Sequence, residues 1–280
     1  MAPATVQSPR EHWLDALIGQ VWETTRCDLG RYDHTLLRRR IAERIAETAL
    51  AGPQDYLTWL QQDAAECRQL VNLMAVQVSA FFRNPVVFEL IDQQVLPELI
   101  ARKQAHGQTG LRVWSAGCCS GEEAYTIAML IHRQLQDRAG HVFATDIHPD
   151  TLEYARAGIY PPDRLDAVKL GLLKRYFVPH GQDFQVDGVI RDMVHFSYHD
   201  LTIPDLGTPT DSVFGTFDLI LCRNVLIYFS PEHRRHILRQ LHDSLDRGGY
   251  LVLGEAEFLA GDMEARFDAM DRRNRIFRKR

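Results

Sequence analysis

The 280-residue chain has no apolar run longer than five residues, such as Ile127–Ile131 and Val225–Phe229. A membrane-spanning helix needs about 20, so no membrane insertion is expected. The first thirty residues carry Glu11, Asp15, Glu23 and Asp28 without an apolar stretch, so no secretory signal is expected either. A basic excess is missing. The net charge is −5, which argues against a nucleic-acid partner, and no patch of aromatics among basic residues suits RNA. The five cysteines are odd in number, none has C-x-x-C spacing, and Cys118 and Cys119 are adjacent. That usage fits a reduced, cytoplasmic protein rather than a disulfide framework. There is no internal repeat and no low-complexity tract. A charged fraction of 25% beside 45% apolar residues excludes disorder as the default.

The length fits about two domains, and the pattern changes character along the chain. The first part reads as helices. Ser8-Pro9-Arg10-Glu11 has the form of a capping box with proline at the first helical position. Trp13, Leu14, Leu17, Ile18, Val21 and Trp22 then recur at helical spacing. Leu37, Ile41 and Ile45 make a second stripe, flanked by Arg38, Arg39, Arg40 and Arg44. Further helices are predicted over Asp55–Leu60 and Ala64–Val78, and a longer one over Pro85–Lys103, kinked or broken near Pro97. From Leu111 the text alternates. Strands are predicted at Leu111–Ala116, His141–Thr145, Phe217–Cys222 and Tyr250–Gly254. Helices are predicted from Glu122, over Pro149–Ala157, and from Ser230-Pro231 to a stop at Gly248-Gly249. Strands alternating with helices imply a doubly wound, mostly parallel α/β sheet. Phe184, Val186, Val189, Val194 and Phe196, with Gly181 and Gly188 between them, read as a small antiparallel insertion.

Gly117-Cys118-Cys119-Ser120-Gly121 follows a strand and opens a helix, where glycines let backbone approach a ligand. Asp146 ends the next strand, the place from which an acid accepts hydrogen bonds from both ribose hydroxyls. Glu122 and Glu123 stand at the helix N-terminus, where a dinucleotide's pyrophosphate would sit and would be repelled. With no G-x-G-x-x-G present, a ligand carrying an amino group or sulfonium fits better than a nicotinamide dinucleotide. His233 and His236 share a helix face, but no acid or cysteine has ligand spacing with them, so no metal site is expected.

These segments bring a resemblance. Ser79-Ala-Phe-Phe-Arg83, Arg112–Glu123, Ala144-Thr-Asp-Ile147, Ala155–Tyr160, Cys222–Phe229 and Gly248–Gly254 stand in the order found in the chemotaxis-receptor methyltransferases of the CheR family, and the chain resembles that family over nearly its whole length. The resemblance implies a helical N-terminal domain, residues 1–76, then a linker and Rossmann-like S-adenosylmethionine-dependent methyltransferase domain, residues 77–280, with an inserted antiparallel β-subdomain at 178–198. It implies transfer of a methyl group from S-adenosylmethionine to glutamates on the cytoplasmic helical bundle of chemoreceptors, leaving S-adenosylhomocysteine, in chemotaxis adaptation. Gln77, Ser79 and Arg83 would reach the cofactor from the linker, and one or both of Glu122 and Glu123 would hold its amino group. Gly117 would form the turn and Asp146 would hold the ribose. Asp200 and Leu201 would line the adenine. Arg223 and Asn224 would close the site near the methionine moiety, and Tyr228 would lie close to the transferring methyl.

The chain departs from the family pattern at Gln77, at Ser79, at Cys119-Ser120, at Asp200, and at Glu255-Ala-Glu257 in place of His-Ser-Glu. A glutamate acceptor is already ionised at neutral pH, so no general base is needed. The task is to align carboxylate and methyl and to exclude water. Arg83 has the planar fork to orient a carboxylate, the acceptor's or the cofactor's. The arginines at 38, 39, 40 and 44 form a solvated face or meet the acidic receptor. Some family members add a receptor-tail pentapeptide as an edge strand of the β-subdomain. Here the insertion is short, so independence from such a tether is expected. The alternatives are a non-catalytic S-adenosylmethionine-binding signalling module, a methyltransferase acting on RNA, and a nicotinamide dehydrogenase.

Overall fold

The computed structural model describes residues 12–74, 78–135, 140–203, 207–212 and 215–280. The chain forms two compact units, Met1–Val76 with Tyr228–Arg234, and Gln77–Ile227 with Arg235–Arg280. The Ser8–Glu11 capping box and Gln77 lie outside the described residues.

The first unit is built from α1 (His12–Thr25), α2 (His34–Ala46), α3 (Pro53–Gln62) and α4 (Ala64–Met74). Asp33 caps α2 by accepting from the Thr35 and Leu36 N–H groups, and Pro53 starts α3 where its missing N–H is not needed. The stripes expected from periodicity face inward. Leu14, Leu17, Val21, Leu37 and Ile41 are buried with Tyr56, Leu60, Leu70 and Met74, while Trp22 at the end of its stripe is exposed. Beneath them Glu66 is buried. Arg44 grips it with Nε at 2.8 Å and Nη2 at 2.7 Å, and the Tyr56 hydroxyl donates to it at 2.7 Å. Burial and this bond to a carboxylate push the Tyr56 hydroxyl well above its ordinary pKa. Arg44 is therefore an internal clamp rather than part of a free basic face. Arg39 and Arg40 both pair with Glu43, and Arg38 lies over the Trp13 ring.

In the second unit the helical path from Pro85 is α5 (Pro85–Leu90), a π turn over Ile91–Val95, and α6 (Leu96–Ala105). Pro97 deforms the helix without ending it. The Leu96 N–H reaches back five residues to the Ile91 carbonyl, and the wider turn accommodates a proline that would clash in a regular α-helix. Next come β1 (Leu111–Ala116), α7 (Glu122–Leu135), β2 (Gly140–Asp146), α8 (Pro149–Ala157), β3 (Ile159–Tyr160), α9 (Leu170–Tyr176), β4 (Phe177–His180), β5 (Asp183–Val186), the short α10 (Gly188–Arg191), β6 (Val194–Tyr198) and β7 (Phe217–Cys222). Last are α11 (Pro231–Ser244), of which the residues from Arg235 belong here, β8 (Leu245–Leu253), β9 (Phe267–Asp271) and β10 (Ile276–Lys279).

Seven strands make the main sheet in the order β6-β2-β1-β7-β8-β10-β9, parallel except for β10. The expected α/β architecture is found, with two local corrections. Val194 and Phe196, read as part of the insertion, belong to β6, which pairs in parallel with β2 at the edge of the main sheet. The small antiparallel sheet is β3-β5-β4, its third strand supplied by Ile159–Tyr160, and Val189 lies in α10. The second correction concerns Gly248-Gly249, which lies inside β8 rather than at the end of a helix. α11 stops at Ser244, where the Lys279 ammonium donates to the carbonyls of His242 and Leu245 at 2.7 Å each.

The buried Glu66 yields a stability test. Glu66→Ala leaves the Tyr56 hydroxyl and the Arg44 Nε and Nη2 without their acceptor, while Arg44 Nη1 keeps Glu47 at 3.0 Å. A loss of about 3 kcal/mol is expected, read as a lower urea midpoint, with Arg44→Lys losing less because one donor survives.

Candidate active site

The order of strands reverses between β1 and β7. The chain leaves β1 toward β2 and β6 on one side and continues from β7 toward β8 on the other. Ligands of open α/β sheets bind at the carboxyl edge of such a switch, and here that edge carries the turn after Ala116 and the turn after Cys222.

The first turn leaves no room for side chains at its glycines. Gly117 has φ +79°, and a Cβ there would stand 2.4 Å from Val225 Cγ2 of the opposite turn. Gly121 has φ +93°, and its Cβ would meet Ala155 Cβ at 2.9 Å. Between them Cys119 also adopts a positive φ of 51°. Its N–H donates to Asp146 Oδ2 at 2.9 Å, and the His148 N–H donates to Oδ1 at 3.1 Å. Asp146 is only half-buried, and each carboxylate oxygen is left with acceptor capacity for a ligand. Both cysteines are packed into this turn, and burial raises their thiol pKa values.

The adjacent acids at the start of α7 have different surroundings. Glu123 accepts from Ser115 Oγ at 2.8 Å and from Arg223 Nη1 at 3.1 Å. The Arg223 side chain is only 2% exposed. Its Nη2 also donates to the Arg83 carbonyl at 2.9 Å and to Asn84 Oδ1 at 2.8 Å. Glu122 is fully buried. It accepts from Ser120 Oγ at 2.7 Å, and its cationic neighbour is Arg164 Nη1 at 3.4 Å.

The segment before α5 is held in a strained form. Phe82 and Asn84, on either side of Arg83, both have positive φ, 52° and 61°. Phe81 packs edge-on against Tyr160 and Phe177 and fixes the segment to the core. The buried Ser79 accepts at its carbonyl from Arg164 Nη1 at 3.1 Å. Half-buried Arg83 donates through Nη1 to the Val78 carbonyl at 2.8 Å.

On the far side of the switch, Asn224 has φ +60°, and the turn hangs on one buried carboxylate. Glu257 accepts from the N–H groups of Asn224, Val225, Leu226 and Gly254, at 3.0, 2.8, 2.7 and 2.6 Å. Burial raises its pKa, against the pull of those four donors. After β6, the His199 N–H donates to the Asp146 carbonyl at 3.1 Å, which places Asp200 and buried Leu201 next to the end of β2. Asp200 Oδ1 accepts from Thr202 N–H and Oγ1.

Gly117, Glu122, Glu123, Asp146, Arg223 and Asn224 thus share the carboxyl edge of the sheet, and Ser79 and Arg83 are bonded to it through Arg164 and Arg223. Tyr228 belongs to the first unit, where its carbonyl accepts from the Asp33 N–H. The sequence reading singled out neither Arg164 nor the role of Glu257. Glu257 stood only as the last residue of a divergent tripeptide, and Arg164 follows Pro161-Pro162 with no motif around it.

Comparisons with known proteins show the family of the chain. A family model described as CheR methyltransferase, SAM binding domain, matches residues 77–276, and one described as CheR methyltransferase, all-alpha domain, matches residues 13–75. A chemotaxis protein methyltransferase of Listeria innocua is 34% identical over 230 residues, covering 82% of this chain and 84% of that protein. Chemotaxis protein methyltransferase 1 of Pseudomonas aeruginosa is 35% identical over 243 residues, covering 82% and 84%. An uncharacterized 104.1 kDa protein of Rhodobacter capsulatus is 36% identical over 251 residues, but this chain spans only 25% of its length.

Glu257→Ala strips four N–H groups of their acceptor at once. A loss of about 3 kcal/mol is expected, accompanied by faster amide exchange at Asn224–Leu226. Exchange there at the wild-type rate would mean that the turn is held by something else.

Proposed function

The chain belongs to the CheR methyltransferase family and is an S-adenosylmethionine-dependent methyltransferase, and from that premise we propose that it converts glutamate side chains on the helical cytoplasmic bundle of chemoreceptors to methyl esters in chemotaxis adaptation. No described helix is long and apolar enough to cross a membrane, and the proposed place of action is the cytoplasm. The observation that carries the reading is the pair of carboxylates beside the glycine turn. Asp146 has acceptor capacity for a diol, and buried Glu122 meets a cation only through one long contact, Arg164 Nη1 at 3.4 Å, a pair of acceptors that fits a ribose and an ammonium group and would repel a pyrophosphate.

In this reading Asp146 holds the ribose and Glu122 the amino group. Glu123 is already neutralised by Arg223 and serves the wall. Arg223, bonded on three sides, is a positioning residue. The Asn224 side chain faces the methionine moiety, Asp200 and Leu201 line the adenine, and Ser79 contributes from the linker. The bound cofactor supplies an electrophilic methyl group on a sulfonium. The protein's part is to hold an acceptor carboxylate in line and to strip it of water. Opposite charges neutralise each other as the reaction proceeds, so a less polar pocket favours it. Arg83 spends one nitrogen on the Val78 carbonyl and keeps the rest of its fork for a carboxylate. Tyr228 is proposed to lie near the transferring methyl.

The β-subdomain supports independence from a receptor-tail tether. β4 is an edge strand, and Pro179 at its middle pairs with Phe184 of β5. A proline in such a strand turns its nitrogen outward and has no N–H to give an added strand.

The deciding experiment incubates the protein with tritiated S-adenosylmethionine and receptor-containing membranes. Base-labile label on a receptor-sized band is expected, and its absence alongside normal cofactor binding would sink the substrate assignment. Asp146→Ala is expected to weaken S-adenosylhomocysteine at least about tenfold by calorimetry, since charge-assisted hydrogen bonds are lost at roughly 1.5–3 kcal/mol each. An affinity within a factor of two of wild type would place the ribose elsewhere. Titration with a Trp-containing receptor C-terminal pentapeptide is expected to give no heat, whereas saturable micromolar binding would overturn tether independence.

A further inference from the structure

The two neighbouring acids at the start of α7 each have an arginine, but the two arginines are held differently. Arg223 is buried at 2% exposure and bonded to Glu123, to the Arg83 carbonyl and to Asn84. It cannot leave without stranding several groups. Arg164 stands at the end of a short 3-10 turn, Pro162–Leu165, with its side chain 44% exposed. It meets Glu122 through a single nitrogen, at 3.4 Å, and shares that nitrogen with the Ser79 carbonyl at 3.1 Å. Its Nε and Nη2 make no hydrogen bond among the described residues. A fully buried carboxylate needs a counter-charge, and Arg164 is the nearest to hand. The contact is long, shared and open to water on the arginine's side.

We propose that Arg164 is a displaceable counter-ion. It neutralises Glu122 while the cofactor site is empty and yields that place to the cofactor's ammonium group on binding. The inference rests on the reading of Glu122 as the amino-group ligand. The arginine loses little on release, because water replaces the Glu122 oxygen and the Ser79 carbonyl remains as an anchor. The ammonium gains a carboxylate that is already held in place by Ser120. The exchange is a competition of two cations for one anion, so Arg164 opposes cofactor binding in proportion to the strength of its own contact. It therefore acts as a positioning residue that sets affinity for ligands with an amino group and is indifferent to ligands without one.

The test compares S-adenosylhomocysteine with methylthioadenosine, which shares the nucleoside but lacks the amino-acid tail. Arg164→Gln is expected to bind S-adenosylhomocysteine about fivefold tighter by calorimetry, to bind methylthioadenosine with unchanged affinity, and to show a larger rise in melting temperature on adding S-adenosylhomocysteine. Arg164→Lys is expected to restore wild-type affinity. Weaker or unchanged S-adenosylhomocysteine binding in Arg164→Gln, with Glu122→Gln still weakening it, would overturn the proposal and leave the Glu122 reading standing. Unchanged affinity in Glu122→Gln would remove the reading itself. Should Arg164→Gln fold poorly, the wild-type protein answers through the Arg164 Nε resonance. That resonance is expected to shift with S-adenosylhomocysteine and to stay put with methylthioadenosine, and a shift with both ligands or with neither would overturn the proposal.

Discussion

The buried ion pair between Arg223 and Glu123 is the contact on which the carboxyl edge of the sheet depends. It ties the end of β7 to the first turn of α7, and through the Arg83 carbonyl and Asn84 it draws in the segment that precedes α5. Removing either partner would leave a charge inside the protein with no counterpart. The left-handed conformations of Phe82 and Asn84 are held from both sides of this pair. The first is caught by Thr126 Oγ1 at its N–H and the second by the guanidinium, so the strain is met from two sides. Because Glu123 is committed to this task, the identical residue beside it is left for a different one.

Much of the fold could be read from local pattern. The helix over Pro149–Ala157 and the strand over Leu111–Ala116 carry their own start and stop signals, and they fold where those signals stand. The failures share a cause, which is that the deciding partner is distant in sequence. Val194 and Phe196 flank the half-exposed His195 as in an antiparallel strand, because β6 is an edge strand, and such spacing cannot tell which sheet a strand joins. The Gly248-Gly249 pair resembles a helix stop, but the end of α11 is satisfied by Lys279, which lies 37 and 34 residues beyond the carbonyls of His242 and Leu245. Among the arginines of α2, spacing does not separate Arg44 from its neighbours. Only the buried Glu66, brought in on α4, does so.

The candidate site divides in the same way. Gly117 and Asp146 were legible because a tight turn and a strand-end acid are local features with a shared purpose. Which of Glu122 and Glu123 faces a ligand was not legible. Residues adjacent on a helix point about 100° apart, and what each meets is set by Arg223 and Arg164, both far along the chain. Arg164 had no local signature at all, since its significance comes from the Ser79 carbonyl and the Glu122 carboxylate rather than from its neighbours.

The role of Glu257 has a bearing on how the protein comes into being on the ribosome. Chains emerge from the amino end and their parts fold as they become available. The turn at Asn224–Leu226 is translated well before the carboxylate that collects its N–H groups, and β8 must form before Gly254 can join the same cluster. A nascent chain halted short of Glu257 would carry the glycine turn and Asp146 but not a finished opposite wall. Until Glu257 is made, the N–H groups of Asn224, Val225, Leu226 and Gly254 lack the carboxylate that gathers them.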